Sequence, residues 1–101
     1  MAMAVYQARV AITATGTREA LGGDQDVDWV LLWCPLSNEQ AIKIGSATVT
    51  DTDATTEGLP IIPGAPPIPL GACNLNTINI VGFATDKIYY FGSEGQLFHT
   101  T

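Results

Sequence analysis

Three acids at alternate positions, Asp24, Asp26 and Asp28, come nearest to a constellation that could do chemistry. Carboxylates so placed can converge on a hard cation such as calcium, but a calcium loop also needs a glycine at its sixth place and a bidentate glutamate at its twelfth. Counted from Asp24, the twelfth place is Pro35. The run therefore reads as a solvated acidic loop, and Asp51, Asp53 and Glu57 in their threonine-rich stretch read the same way. His99 is the only histidine, and nothing marks Ser37, Ser46, Ser93, Cys34 or Cys73 as a nucleophile with a base positioned on it. His99 reads as an exposed edge residue. Cys34, Cys73 and His99 are too few and too far apart for a zinc site, and Gly22-Gly23 lacks the Lys-Ser or Lys-Thr of a phosphate loop. Hence no catalytic residue, metal or cofactor is expected, and the chain does not read as an enzyme. Trp29, Trp33, Phe83, Tyr89, Tyr90 and Phe91 could stack on sugar rings or line a subunit interface, although core is the leading reading for most of them.

The 101 residues make one domain, 1–101, large enough to bury a core without staples. Only 14% of residues are charged, against about 25% in an average soluble domain, so a bare monomer would be short of surface charge and part of it is expected to be covered by partners. Ten acids against Arg9, Arg18, Lys43 and Lys87 give a net charge of −6, which excludes a nucleic-acid partner. No signal peptide is expected at the start, and no run of about 18 apolar residues marks a membrane span. Cys34 and Cys73 read as buried free thiols of a chain made in the cytoplasm, with a bridge between them left open.

The elements that must position these residues are strands. Residues 74–92 read as a β-hairpin: β-branched and aromatic residues interleaved with polar ones in 75–83, a reversal at 84–87, then Ile88, Tyr89, Tyr90 and Phe91. Trp29–Trp33 is the strongest apolar run and reads as a central strand buried on both faces, stopped by Pro35. Residues 9–15 and 41–45 alternate as strands, 47–50 continues the latter past a bend at Gly45, and 96–100 reads as a last edge strand. Residues 1–8 read as an extended arm. Residues 51–71 read as an acidic, then proline-rich loop; its five prolines exclude helix and central strand and favour stiff polyproline II or a crossing between two sheets.

This order of elements, from Trp29–Trp33 through 41–50 and Gly58-Leu59-Pro60-Ile61-Ile62-Pro63-Gly64 to 74–82 and 87–91, resembles small all-β structural proteins of tailed bacteriophages, among them capsid decoration or cement proteins. The resemblance is one of strands and turns rather than of a diagnostic motif. It implies a single small antiparallel β-sandwich or barrel-like domain on the outside of a capsid lattice in the virion, bound to the major capsid protein and to copies of itself as a trimer or dimer. Arm and proline-rich loop are the natural contacts: Val5, Tyr6, Arg9, Ile61, Ile62, Pro66, Pro67 and Ile68. The alternative is a tail or fibre accessory, or a carbohydrate-binding adhesion module built on exposed aromatics.

Overall fold

A computed structural model describes residues 4–50 and 57–94, and within them lie ten strands and one short 3-10 turn. The fold is all-β and antiparallel. The strands are β1 (Ala4–Ala11), β2 (Glu19–Ala20), β3 (Asp26–Val27), β4 (Trp29–Trp33), β5 (Ile42–Gly45), β6 (Leu59–Ile61), β7 (Ile68–Leu70), β8 (Cys73–Asn74), β9 (Asn79–Val81) and β10 (Lys87–Glu94). They form one four-stranded sheet in the order β1-β10-β4-β7, a second in the order β2-β9-β5-β6, and a two-stranded ribbon of β3 and β8. One apolar cluster draws on both larger sheets, with Val30, Leu32 and Ile88 from the first and Ile42, Ile44, Ile61 and Ile80 from the second.

The expected hairpin at 74–92 does not form. β9 pairs with β5 and β2, whereas β10 pairs with β1 and β4, so the two strands lie in different sheets. Both Ile80 and its neighbour Val81 are buried, which a strand with one wet face would not require. The arm expected over 1–8 is also corrected. Residues 4–8 are already inside β1, paired from Ala4↔Glu94 to Ala11↔Lys87, because the half-buried Ala4, Tyr6, Ala8 and Val10 alternate with exposed residues. Residues 1–3, 51–56 and 95–101, with the expected strand at 96–100, His99, Asp51 and Asp53, lie outside the described residues.

The segment expected as a proline-rich loop supplies two edge strands instead. Pro60 sits in the middle of β6 and Pro69 in the middle of β7, each strand at the end of its sheet. Proline has no N–H, so it is tolerated where that position faces away from the ladder. Between them, residues 62–67 carry the chain from one sheet to the other, tied back by the Gly64 N–H to the Cys34 carbonyl at 3.0 Å.

The four direct connections between the two larger sheets, residues 12–18, 34–41, 62–67 and 82–86, leave the first sheet at the same end, and the other two crossings run through the β3–β8 ribbon. There β4 stops before Pro35, the residue that would come opposite Lys87 and has no N–H to offer it. The Asn38 side chain takes over: its amide donates to the Lys87 carbonyl at 2.7 Å and accepts from the Lys87 N–H at 2.8 Å. The Asp86 carboxylate, 3% exposed, accepts the N–H groups of Glu39 at 2.8 Å and Gln40 at 2.9 Å. Its backbone carbonyl accepts the Ile12 N–H at 2.8 Å, and its N–H closes a turn onto the Phe83 carbonyl at 3.0 Å. Thr85, third in that turn, has φ +74°, a conformation that a β-branched residue rarely takes.

Substituting Asp86→Asn turns one acceptor into a donor facing a backbone donor, and unfolding by urea is expected to show a loss of about 3 kcal/mol. Thr85→Gly is expected to raise stability by about 1 kcal/mol in the same assay, because the left-handed conformation costs glycine nothing.

Candidate interaction surface

Side chains on the first sheet alternate between two faces, and register sorts them into rows. One row runs Arg9, Tyr89, Trp33; the next Gln7, Phe91, Leu31, Pro69; the third Val5, Ser93, Trp29. A fourth holds Ala11 and Lys87. The opposite face turns Val30, Leu32 and Ile88 into the core with no exposure. Trp29–Trp33 is thus a central strand as expected, but it is buried on one face only: Trp29, Leu31 and Trp33 are half-buried, as are Tyr89 and Phe91 beside them.

The aromatic rings on this face pack against one another. Trp33 and Tyr89 stack with centroids 5.7 Å apart and planes 11° apart, and Trp29 meets Phe91 at 5.9 Å and 39°. Trp33 and Tyr89 each have one ring face turned to the other, which leaves less free face for a sugar ring than an unstacked aromatic offers. The indole N–H of Trp29 is shielded from solvent and meets no acceptor among the described residues. A groove of about 310 Å³ runs along Gln7, Ala8, Arg9, Trp33 and Tyr89 to Phe91. Tyr90, although it borders this groove, packs against the core, and Phe83 is exposed at the start of the Asp86 turn, outside the strands of this sheet.

Charge on this face differs from the rest of the chain. Its strand positions hold two cations, Arg9 and Lys87, and no carboxylate. Lys43 is engaged elsewhere with Glu57 at 2.7 Å.

The contact residues expected from sequence fall into three places. Val5 and Arg9 are exposed on the β1 edge of the aromatic face. Ile62, Pro66 and Pro67 are exposed on the connection between β6 and β7. Tyr6 and Ile68 are half-buried against the core, and Ile61, at 1% exposure, belongs to it and is unavailable for contact. Since β1 and β7 are opposite edges of one sheet, the first two groups are not brought together. Gln7, Leu31 and Lys87 were not singled out; their signal is the period-two spacing from Arg9, Trp33 and Tyr89.

The acidic run has a different partner from the cation considered above. The Asn74 amide donates to Asp24 at 2.7 Å and to Asp26 at 3.0 Å, occupying the space between the carboxylates. No cluster of three metal-ligating side chains occurs among the described residues. Ser46 shares a hydrogen bond with Thr48 at 3.1 Å, and Ser93 is fully buried. Cys34 and Cys73 are both free thiols, the first buried and the second half-buried. Comparison with protein-family models, with curated proteins and with solved structures finds no match.

Burial pushes the Cys34 thiol up from 9.0 to about 11, the Asp86 charge adding to the effect. A raised value means that the neutral thiol stabilises the fold at and below pH 9 and that this contribution is lost as pH climbs towards 11. Stability followed by urea unfolding across that window is expected to fall more steeply for the wild type than for Cys34→Ala.

Proposed function

We propose that this chain is a non-enzymatic virion structural protein of a tailed bacteriophage, a decoration or cement protein bound outside the major capsid protein lattice. The two larger sheets are then the layers of a β-sandwich, a reading supported by the single core to which both contribute. The observation that carries the functional proposal is the aromatic face of the first sheet: Trp29, Leu31, Trp33, Tyr89 and Phe91 stay half-exposed in a chain that has no shortage of aliphatic core. Half-exposed tryptophan and tyrosine beside arginine is the composition of an interface centre rather than of an ordinary wet face.

A clamp on a repetitive shell needs only modest affinity per site, because many copies act together. This face would meet the shell, with Arg9 and Lys87 oriented to its acidic groups, while the acid-rich remainder of the chain keeps clear of packaged DNA. The exposed Ile62, Pro66 and Pro67 would form a second contact, towards a neighbouring capsomer. Such a protein is made in the host cytoplasm and ends on the capsid surface. The carbohydrate-binding alternative draws support from the groove along Arg9, Trp33 and Tyr89, but the stacking of those rings on each other favours a protein partner.

Co-sedimentation with emptied capsids of the virus that encodes the chain tests this. The wild type is expected to pellet with the shells, and Trp33→Ser to bind about tenfold more weakly while circular dichroism shows that it is still folded. Equal binding by the variant would take the aromatic face out of the contact, and saturable quenching of tryptophan fluorescence by a glycan with no capsid binding would move the protein to the adhesion class.

A further inference from the structure

Four strands lie at the edges of the two larger sheets, and they are not equally protected. β6 and β7 are three residues long with proline at the centre, and β2 has only two residues. These are the usual devices that stop a sheet from growing. β1 has none of them: it runs for eight residues without proline and carries a single charge, Arg9.

The backbone groups left open on β1 follow from the ladder. The Ile12 N–H donates to the Asp86 carbonyl, towards β10. Because antiparallel bonding alternates, Val10, Ala8, Tyr6 and Ala4 also face β10, and Val5, Gln7, Arg9 and Ala11 face outward. The Ser93 carbonyl agrees with this phase: it accepts the Asp28 N–H on the β4 side and so turns away from Val5. Val5, Gln7, Arg9 and Ala11 therefore present N–H and C=O groups with no partner among the described residues.

We infer that the β1 edge pairs antiparallel with β1 of a second copy about a two-fold axis at Ala8. A two-fold perpendicular to the sheet keeps each face on its own side, so only outward-facing residues can exchange hydrogen bonds. Centring on Arg9 sets two guanidinium groups opposite each other. Centring on Gln7 carries Ala11 past the partner's Ala4. Centring on Ala8 engages all four open residues, with Val5 opposite the partner's Ala11 and Gln7 opposite the partner's Arg9, for about eight backbone hydrogen bonds.

On the core-side face, the same register sets the half-buried Tyr6 opposite the partner's Val10, an aromatic and β-branched pair of the stabilising kind, and two alanines meet at the axis. That match of the strand to itself favours a second copy over a foreign strand. No carboxylate lies on β1, so two chains of net charge −6 meet where neither presents an acid. Their overall repulsion remains, and added salt tightens the dimer. The self-association that forms part of the capsid reading thereby acquires a site, but it stands independently of the capsid contact: the aromatic face can fail its test and the edge pass, or the reverse.

Sedimentation equilibrium of the wild type at increasing concentration is expected to approach twice the chain mass. Gln7→Pro removes an outward N–H without breaking a bond to β10, so it is expected to stay folded by circular dichroism and to sediment at the single-chain mass. In a Cys73→Ser background, Ala8→Cys is expected to form a disulfide-linked dimer on mild oxidation, since facing residues of a non-hydrogen-bonded pair lie close enough to bridge, and Arg9→Cys is not. A wild type that remains monomeric, one that forms trimers, or a folded Gln7→Pro that dimerises as the wild type does would each overturn the inference. If Gln7→Pro does not fold, the crosslinking decides: preference for Arg9→Cys over Ala8→Cys, or no crosslink at either, refutes the pairing.

Discussion

The buried carboxylate of Asp86 is the interaction on which the architecture turns. Four connections between the two larger sheets leave the first sheet at one end, and polar backbone concentrated there must find partners or pay for desolvation. Asp86 binds two successive N–H groups of the connection after β4 and, through its own backbone, the end of β1 and the turn before β10. Asn38 repairs the place where Pro35 ends the β4 ladder. Charge-assisted bonds to a carboxylate are among the stronger ones, so a single acid can join three segments far apart in sequence. Burial raises the Cys34 thiol, and the Asp86 charge adds to that effect.

With the corner fixed, the first sheet sorts its residues by kind. Compact aliphatics, Val30, Leu32 and Ile88, fill the core, where close packing rewards well-defined rotamers. Trp29, Trp33, Tyr89 and Phe91 are left on the other side, where they pack on one another, while Tyr6 and Tyr90 pack against the core. Edge chemistry is sorted as well: prolines close β6 and β7, while β1 has no neighbour on its outer side among the described residues. Face and edge are therefore separate surfaces with different requirements, side-chain complementarity for one and strand register for the other.

The all-β class was legible in the sequence because β-branched and aromatic residues recur in short runs between glycine, proline and polar turns. The central place of Trp29–Trp33 was legible for the same reason, as was the confinement of proline to positions outside central strands. The face of β4 that is buried was not, since Trp29, Leu31, Trp33 and Val30, Leu32 are both apolar sets and only pairing with β10 separates them. The hairpin reading failed because 84–87 is short enough for a tight turn, and local pattern cannot show that Asp86 is engaged by residues 39 and 40 rather than by solvent. The arm reading failed through a similar blindness: among the described residues β1 has its only strand partner in β10, with the other described strands between them in sequence. Of the expected contacts, Val5 and Arg9 border the aromatic face, yet the face itself had been read chiefly as core.

That pairing of β1 with β10 bears on when the fold can form. During synthesis β1 emerges before any strand it can pair with, and β4 likewise lacks its β10 neighbour until the same late moment. β4 can pair with β7 earlier, but β1 joins the first sheet only after the ribosome has delivered Lys87–Glu94, and closure of so long a loop slows the step. Until then an unpaired, proline-free strand is exposed to neighbouring nascent chains, which makes the interval before β10 emerges the period when chaperone protection matters most.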